Sequence, residues 1–334
     1  MSNEAAPDTS TANTGSSTKW IALAAMMFAV SMMFIDQTIV SIAIPTIQTE
    51  LGLSDAGVQW VINGYLLSLS AFFALGGRLS GTLGHKKMVL LGVTIFAVSS
   101  ALCGATPATS AAEAWLIIFR IVQGIGAALL FPAALAIVVS VFPLKERGKA
   151  LALFFGITGG LTAIGPILGG YLSEWTWRAI FWVNVPVAII AIILTLIAKI
   201  HTKHKKEPLD YKGAVLIALG MGFSVLGLQQ ASSWGWGSWK TIGSIVLGLA
   251  LLVIFVKVET KVKIPLIKVE IFKDRAFFVD NAVLFFAMMA FVPVFFFGSV
   301  YSQAVLDYNA SNAGLYLLVF FAGFAPAVQV GGRI

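Results

Sequence analysis

The chain alternates between long apolar segments and short polar ones. A helix that crosses the hydrocarbon core of a bilayer needs about 20 apolar residues. Segments of this kind recur along almost the whole chain, and Pro, Gly and charged residues cluster between them. The predicted spanning helices are 20–44, 55–77, 88–108, 114–141, 150–172, 179–199, 212–231, 241–258, 276–301 and 312–332. The pattern predicts an all-α membrane protein with about ten transmembrane helices.

Composition agrees with this interpretation and argues against a water-soluble globule. Hydrophobic residues make up 58% of the 334 residues and charged residues only 11%, whereas soluble domains carry about 25% charged residues. Three histidines and the single cysteine, Cys103, offer no spacing typical of a metal site. No nucleophile–base constellation is recognisable either. We therefore expect no enzyme active site, no metal and no cofactor.

Lysine and arginine orient the chain in the membrane. The segments before span one and after spans two, four, six, eight and ten hold 19 of the 22 basic residues. The alternate segments hold only Arg178 and Lys240, and Arg120 lies within a span. Because cytoplasmic loops are enriched in Lys and Arg, we predict a cytoplasmic N-terminus. Residues 1–18 are small and polar and are predicted to be a disordered cytoplasmic tail.

The net charge of +7 is compatible with nucleic-acid binding, and the basic cluster at residues 201–206 offers such a surface. The distribution of charge favours another interpretation, a positive-inside loop beside anionic lipid. Tryptophans at the opposite ends of the spans are typical of an interfacial belt. The predicted partner is therefore the lipid bilayer, and no nucleic-acid partner is expected.

Among the charges within predicted spans, where each costs about 2.5–3.5 kcal/mol on insertion scales, two stand out. Asp36 lies about 24 Å from the start of span one, and Arg120 about 9 Å from the start of span four, which runs the opposite way. They are therefore at similar depth, where they can pair or line one aqueous cavity. A structural ion pair is one interpretation, and a role in substrate or proton coupling is the other.

Three further polar residues in the spans are candidates for lining a transport path. They are Asn63, Gln123 and Asp280. Such residues line a cavity or hydrogen-bond between helices, and the sequence does not decide between these roles. Asp280 lies close to the start of its span, so an interfacial position is an alternative for this residue.

A repeat in the sequence indicates a second helical bundle. The second span begins after Ser54-Asp55-Ala56-Gly57 and ends in Gly76-Gly77-Arg78-Leu79. The tenth begins near Ser311-Asn312-Ala313-Gly314 and ends in Gly331-Gly332-Arg333-Ile334. Many secondary transporters consist of repeated bundles, and this repeat places the start of the second copy near residue 276.

Several motifs in the expected spans resemble the major facilitator superfamily. Residues 165–170, GPILGG, are similar to its antiporter motif, with Gly165, Pro166, Gly169 and Gly170 at the matching positions. Residues 36–45, DQTIVSIAIP, resemble the first-helix signature of its fourteen-helix drug:proton antiporter branch, the QacA/EmrB type. Residues 120–126, RIVQGIG, are similar to the fourth-helix motif, whose arginine is implicated in proton coupling.

The resemblance implies a domain organisation. We expect a six-helix bundle at 19–200, two inserted linker helices at 201–275, and the first two helices of a second bundle at 276–334. The branch has fourteen helices, so a C-terminally truncated chain is expected, and an inactive fragment is one reading of it.

The family's loop after helix two is also recognisable, with one departure. Gly77, Arg78, Gly84 and Lys86 match the cytoplasmic gating motif, but Gly81 occupies the position of its aspartate. That aspartate is thought to hold a latch between helices in the family. The resemblance therefore leaves the gating of this chain in doubt.

The function implied by the resemblance is proton-driven efflux of small amphipathic compounds or drugs across a bacterial cytoplasmic membrane. Asp36 would bind the proton or a cationic substrate, and Arg120 would tune that carboxylate. A periplasmic adaptor protein is a possible further partner. The alternatives are a metabolite exporter or symporter on the same fold, and a non-transporting sensor or fragment.

Overall fold

The computed structural model describes residues 16–162, 164–198, 200, 210–262, 264–308, 312 and 316. Its regular structure in these residues is helical. A 3-10 helix, Val269–Lys273, precedes the last of the α-helices. The α-helices are α1 (Ser16–Leu51), α2 (Asp55–Leu83), α3 (His85–Gly104), α4 (Ala112–Val141), α5 (Leu144–Thr162), α6 (Ile164–Trp175), α7 (Ala179–Trp182), α8 (Asn184–Ile197), α9 (Tyr211–Trp234), α10 (Trp239–Glu259) and α11 (Arg275–Ala304).

The described helices follow the predicted spans closely. Seven are long and apolar enough to cross a bilayer, and the bent pair α5–α6 makes an eighth. These eight correspond to the first eight predicted spans, and α11 covers the ninth. All but two residues of the tenth predicted span, 312–332, lie outside the described residues. Helix α1 begins at Ser16, inside the predicted tail, whose residues 1–15 also lie outside them.

Local capping chemistry explains where several helices begin. The side chain of Ser54 accepts a hydrogen bond from the backbone N–H of Gly57 at the start of α2. Asp210, Ser238 and Asp274 cap α9, α10 and α11 in the same way. Such caps satisfy first-turn N–H groups that lack a partner within the helix.

One of the predicted spans, the fifth, is bent at a proline. Helices α5 and α6 meet at a bend of 44°, and Pro166 has no N–H to donate to the carbonyl of Thr162 four residues earlier. The sixth span is a single apolar helix, Ala179–Ile197, and Val183 between α7 and α8 keeps helical backbone angles. Pro186 likewise cannot donate to the carbonyl of Trp182. The kink at Pro166 and the continuous sixth span both agree with the predictions from the sequence.

Helix α1 is central to the packing of the first eight helices, because it contacts α4, α5, α6 and α8. Helix α4 packs along both α2 and α3. Several of these contacts depend on glycine. A Cβ on Gly76 would overlap the Ala128 carbonyl oxygen, and one on Gly92 would lie 2.7 Å from the Gly126 carbonyl oxygen. Small residues let membrane helices approach closely, which is where such helices gain their packing energy.

Helices α9 and α10 form a hairpin beside this bundle. They pack along each other, and α9 also contacts α2. The hydroxyl of Ser233 donates to Gln59 Oε1 at 2.7 Å, which ties the two elements together. At the other end of α9, Ala214 and Ile217 form an apolar cluster with Phe255 and Leu266. The assignment of residues 201–275 to inserted linker helices remains a prediction.

Two glycines of α2 allow a matched test of this packing. Gly76→Ala should destabilise the protein, because the backbone of α4 must move and overpacking costs about 1–3 kcal/mol. Gly81→Ala places its methyl group in open space, so it should leave stability unchanged or raise it, as alanine favours helix. Thermal unfolding in detergent measures both. Equal losses of stability would contradict the close α2–α4 contact.

Candidate functional site

Asp36 lies in the middle of α1 and is completely buried. Its Oδ2 accepts a hydrogen bond from Arg120 Nη1 of α4 at 2.5 Å, and the two groups form an ion pair. Arg120 is only 2% exposed. The structure thus brings the two charges together, which is one of the two arrangements that the sequence left open.

The second carboxylate oxygen of Asp36 has its own partners. Gln123 Nε2 donates to Oδ1 at 2.9 Å, and Asn184 Nδ2 of α8 donates to the same atom at 3.0 Å. The carboxylate therefore accepts from one cationic and two amide donors on two other helices. This arrangement compensates much of the hydration that a buried carboxylate loses.

The guanidinium of Arg120 is held on three further sides. Nη1 also donates to Gln123 Oε1 at 2.9 Å, and Nε donates to the Val61 carbonyl oxygen of α2 at 3.0 Å. Its Cζ lies 4.4 Å from the centre of the Tyr65 ring. A cation over an aromatic face is stabilised by about 2 kcal/mol where both groups are desolvated.

Asn184 extends the hydrogen bonds to two further helices, α3 and α7. Its Nδ2 also donates to Ser100 Oγ of α3 at 2.9 Å. Ser100 in turn donates to the carbonyl oxygen of Phe181 in α7 at 2.8 Å. We call the six side chains of Asp36, Tyr65, Ser100, Arg120, Gln123 and Asn184 the polar layer.

The polar layer lies between two apolar clusters. On α1, Met33 belongs to one cluster and Ile39 to the other, with Asp36 between them. The same order holds on α4, where Arg120 and Gln123 lie between Leu116 and Ala127. The charged groups are therefore sealed above and below by apolar side chains, which strengthens their mutual attraction.

Sequence reasoning found Asp36, Arg120 and Gln123 of the polar layer but did not assign Tyr65, Ser100 or Asn184 a role. Asn184 carried a usable signal, since an amide within an apolar span requires a partner. Ser100 and Tyr65 carried none, because serine and tyrosine occur in spanning helices without any functional role.

The other two candidates for cavity lining lie elsewhere. Asn63 is half-buried on α2, and Asp280 is exposed on α11. Neither takes part in the hydrogen bonds of the polar layer described above. Their assignment to a transport path stays a prediction.

The residues of the antiporter motif lie in α6 and pack against α1. A Cβ on Gly165 would overlap Thr38 Oγ1, and one on Gly169 would lie 3.1 Å from the Ile39 carbonyl oxygen. Pro166 and Gly170 lie in the same helix. The motif therefore brings α6 close to the helix that carries Asp36.

The residues of the predicted gating motif surround the junction of α2 and α3. Gly84 alone separates these helices, with a φ of 99° that favours glycine. Lys86 Nζ donates to the Leu196 carbonyl oxygen at the end of α8 at 3.5 Å. A Cβ on Gly77 would meet Pro132 of α4 at 3.7 Å, whereas Gly81 is exposed with open space around it. Arg78 is half-buried one residue after Gly77.

A bundle of membrane-spanning helices around a buried, hydrogen-bonded charge pair is the architecture of a membrane transporter. The profile of the Major Facilitator Superfamily matches residues 26–334. The chain belongs to this superfamily, and the predicted fold class is confirmed.

Curated relatives of the chain come from several bacteria. The uncharacterized MFS-type transporter EfpA of Mycobacterium tuberculosis is 36% identical over 319 residues, which cover 94% of this chain and 58% of that protein. The tetracenomycin C resistance and export protein of Streptomyces glaucescens is 33% identical, with coverages of 94% and 58%. Multidrug resistance protein 3 of Bacillus subtilis is 30% identical, with coverages of 97% and 63%.

The chain spans less than two thirds of the length of these relatives. Among solved structures, the proton:xylose symporter XylE with bound 6-bromo-6-deoxy-D-glucose has a TM-score of 0.61 and 12% identity. The alignment covers 95% of this chain and 69% of that one. At this identity the likeness concerns the fold alone.

A double-mutant cycle tests the energetics of the polar layer. Arg120→Gln alone should destabilise the protein by about 3–5 kcal/mol, because it leaves the Asp36 carboxylate buried without its cation. Arg120→Gln combined with Asp36→Asn should be more stable than Arg120→Gln alone, since both charges are then absent. Thermal unfolding in detergent gives the comparison. Additive losses would mean that the two side chains do not interact in the folded protein.

Proposed function

We propose that the chain belongs to a proton-coupled exporter that carries small amphipathic compounds out of the cell by antiport. The observation that carries this proposal is the bonded, fully buried carboxylate of Asp36 between Arg120, Gln123 and Asn184. Ionisable residues inside a membrane protein mark proton relays and substrate pathways more often than they serve packing alone.

The hydrogen bonds of the polar layer suggest how a proton would be exchanged. In the arrangement described, Asp36 accepts three hydrogen bonds, from Arg120, Gln123 and Asn184. When a proton binds to the carboxyl group, Arg120 loses its counter-charge. Gln123 Oε1 and the Val61 carbonyl oxygen already lie within 3.0 Å of its donors and can retain it. Proton binding would thus require only a small rearrangement, because Arg120 keeps hydrogen-bond acceptors when Asp36 is neutral.

Burial supports a gated mechanism. Because Asp36 and Arg120 are sealed from solvent here, a proton reaches the carboxylate only when the surrounding helices separate on one side. Alternating access of two helical bundles would provide this. One charge moved across 100 mV supplies about 2.3 kcal/mol, which is enough to drive accumulation against a gradient.

The relatives' names support export as the direction and drugs or antibiotics as the kind of substrate. The relatives include the tetracenomycin C resistance and export protein, the puromycin resistance protein pur8 and a cephamycin export protein. We propose a related substrate class for this chain, within the bacterial cytoplasmic membrane and with the N-terminus on the cytoplasmic side. A periplasmic adaptor is a further proposed partner.

Transport in vesicles tests the proposal. The protein reconstituted in liposomes should exchange a fluorescent amphipathic cation for protons, with the cation and the protons moving in opposite directions. Asp36→Asn should abolish this exchange, because the amide cannot bind and release a proton. Glu50→Gln is the matched control, since this exposed carboxylate lies near the end of the same helix α1 and outside the polar layer, and it should leave exchange within about twofold of the parent.

A trapped pH indicator and the fluorescence of the cation report the two movements separately. Movement of both species in the same direction would identify a symporter and refute the antiport proposal. Exchange that persists in Asp36→Asn at the parental rate would remove Asp36 from the coupling mechanism.

A further inference from the structure

Thr38 of α1 lies against the bend between α5 and α6. Its hydroxyl oxygen is 3.1 Å from the carbonyl oxygen of Thr162, the last residue of α5. Within its own helix, the same hydroxyl is 3.1 Å from the carbonyl oxygen of Ile35 and 3.5 Å from that of Phe34. It is therefore placed to bond either within α1 or across to α5.

The Thr162 carbonyl needs a donor from elsewhere. In an uninterrupted helix it would accept from the N–H of residue 166, but that residue is Pro166, which has no N–H. A backbone carbonyl without a partner costs several kcal/mol in a membrane interior, where water is absent. The hydroxyl of Thr38 supplies a hydrogen bond at this point.

The carbonyl oxygens of Ile35 and Thr162 are not equivalent as acceptors for the Thr38 hydroxyl. A hydroxyl has one proton to donate. The Ile35 carbonyl already lies four residues before Ile39 within the continuous helix α1, so it has a backbone donor. Thr162 has lost its own through Pro166. The hydroxyl proton of Thr38 is therefore needed at Thr162. The hydrogen bond from Thr38 to the Thr162 carbonyl oxygen supplies the donor that this carbonyl lacks in its own helix.

Gly165 makes this contact possible. Any side chain at position 165 would overlap Thr38 Oγ1. The adjacent residues Gly165 and Pro166 thus act together: the proline frees the Thr162 carbonyl, and the glycine leaves room for the hydroxyl that bonds it. Thr38 packs into the bend as a fitted partner.

We propose that Thr38 is a positioning residue that fixes the bend between α5 and α6 by replacing the hydrogen bond that Pro166 removes. Thr38 follows Asp36 by two residues, so their side chains leave α1 about 200° apart. One side of α1 bonds the polar layer, and the other bonds the bent helix. The bond itself is independent of proton coupling, whereas its importance for transport rests on the function proposed above.

A double-mutant cycle in thermal unfolding tests the bond. Thr38→Val keeps the shape of the side chain and removes its hydroxyl, and should lower the unfolding temperature by about 2 °C. Thr38→Ser should retain most of the parental value. In a Pro166→Ala background the helix can supply its own N–H to Thr162, so Thr38→Val should then cost less than half as much.

Thr195→Val is the matched control. Thr195 is buried in α8, and its hydroxyl bonds the Ala191 carbonyl within the same helix at 2.6 Å. Its cost should be the same with Pro166 and with Pro166→Ala. If the cost of Thr38→Val were also the same in both backgrounds, Thr38 would act by packing alone and the proposal would be overturned.

Spin labels report the bend directly and do not require transport activity. Cysteines can be introduced at two exposed positions, Ile157 of α5 and Tyr171 of α6, in a Cys103→Ala background. In a straight helix these positions would lie about 20 Å apart along the helix axis. The distance distribution should be narrow in the parent and in Thr38→Ser, and broader or shifted in Thr38→Val. An unchanged distribution in Thr38→Val would refute the positioning role.

A transport measurement on the same variants separates the two proposals. Lower exchange in Thr38→Val, restored in Thr38→Ser, would support a role of the bend in transport. The parent protein could lack proton-coupled exchange while Thr38→Val still broadens the spin-label distance distribution. That result would refute the proposed function and still support the hydrogen bond between Thr38 and Thr162. Full exchange in a Thr38→Val variant whose bend has changed would refute the bend's importance for transport.

Discussion

The ion pair between Asp36 and Arg120 is the interaction on which the rest of the bundle depends. Neither charge is stable in a bilayer by itself, and together they are stable only while amides and a carbonyl satisfy their remaining atoms. Those groups come from α2, α4 and α8, with Ser100 of α3 holding the amide of Asn184. The requirement to satisfy one buried carboxylate therefore fixes the relative positions of several helices, and the two apolar clusters close around them.

Helix α1 connects this requirement to the segment with the antiporter motif. Glycines at 165 and 169 let α6 lie directly against α1, and the carbonyl that Pro166 leaves free faces Thr38. A change at the carboxylate that shifts or turns α1 is thus transmitted to the bend without any intervening element. In a transporter, such a direct connection would couple the protonation state to helix geometry.

Much of this could be predicted from the sequence, and the remainder has identifiable causes. The length of the apolar segments predicted the first eight spans, because a bilayer requires about 20 apolar residues for each crossing. The cost of intramembrane charge drew attention to Asp36 and Arg120. The partners Tyr65 and Ser100 were not recognisable, since their role arises only from the packing of α2 and α3 on α4.

The junction of α2 and α3 has a mechanical consequence. A single glycine in a left-handed conformation joins two membrane-crossing helices, so almost no slack exists between them. Because the junction is so short, a tilt of α2 would displace the start of α3. Lys86 donates to the Leu196 carbonyl oxygen at the end of α8, so the corner also contacts a third helix. A change in the angle between α2 and α3 would therefore require rotation of the backbone at Gly84 itself.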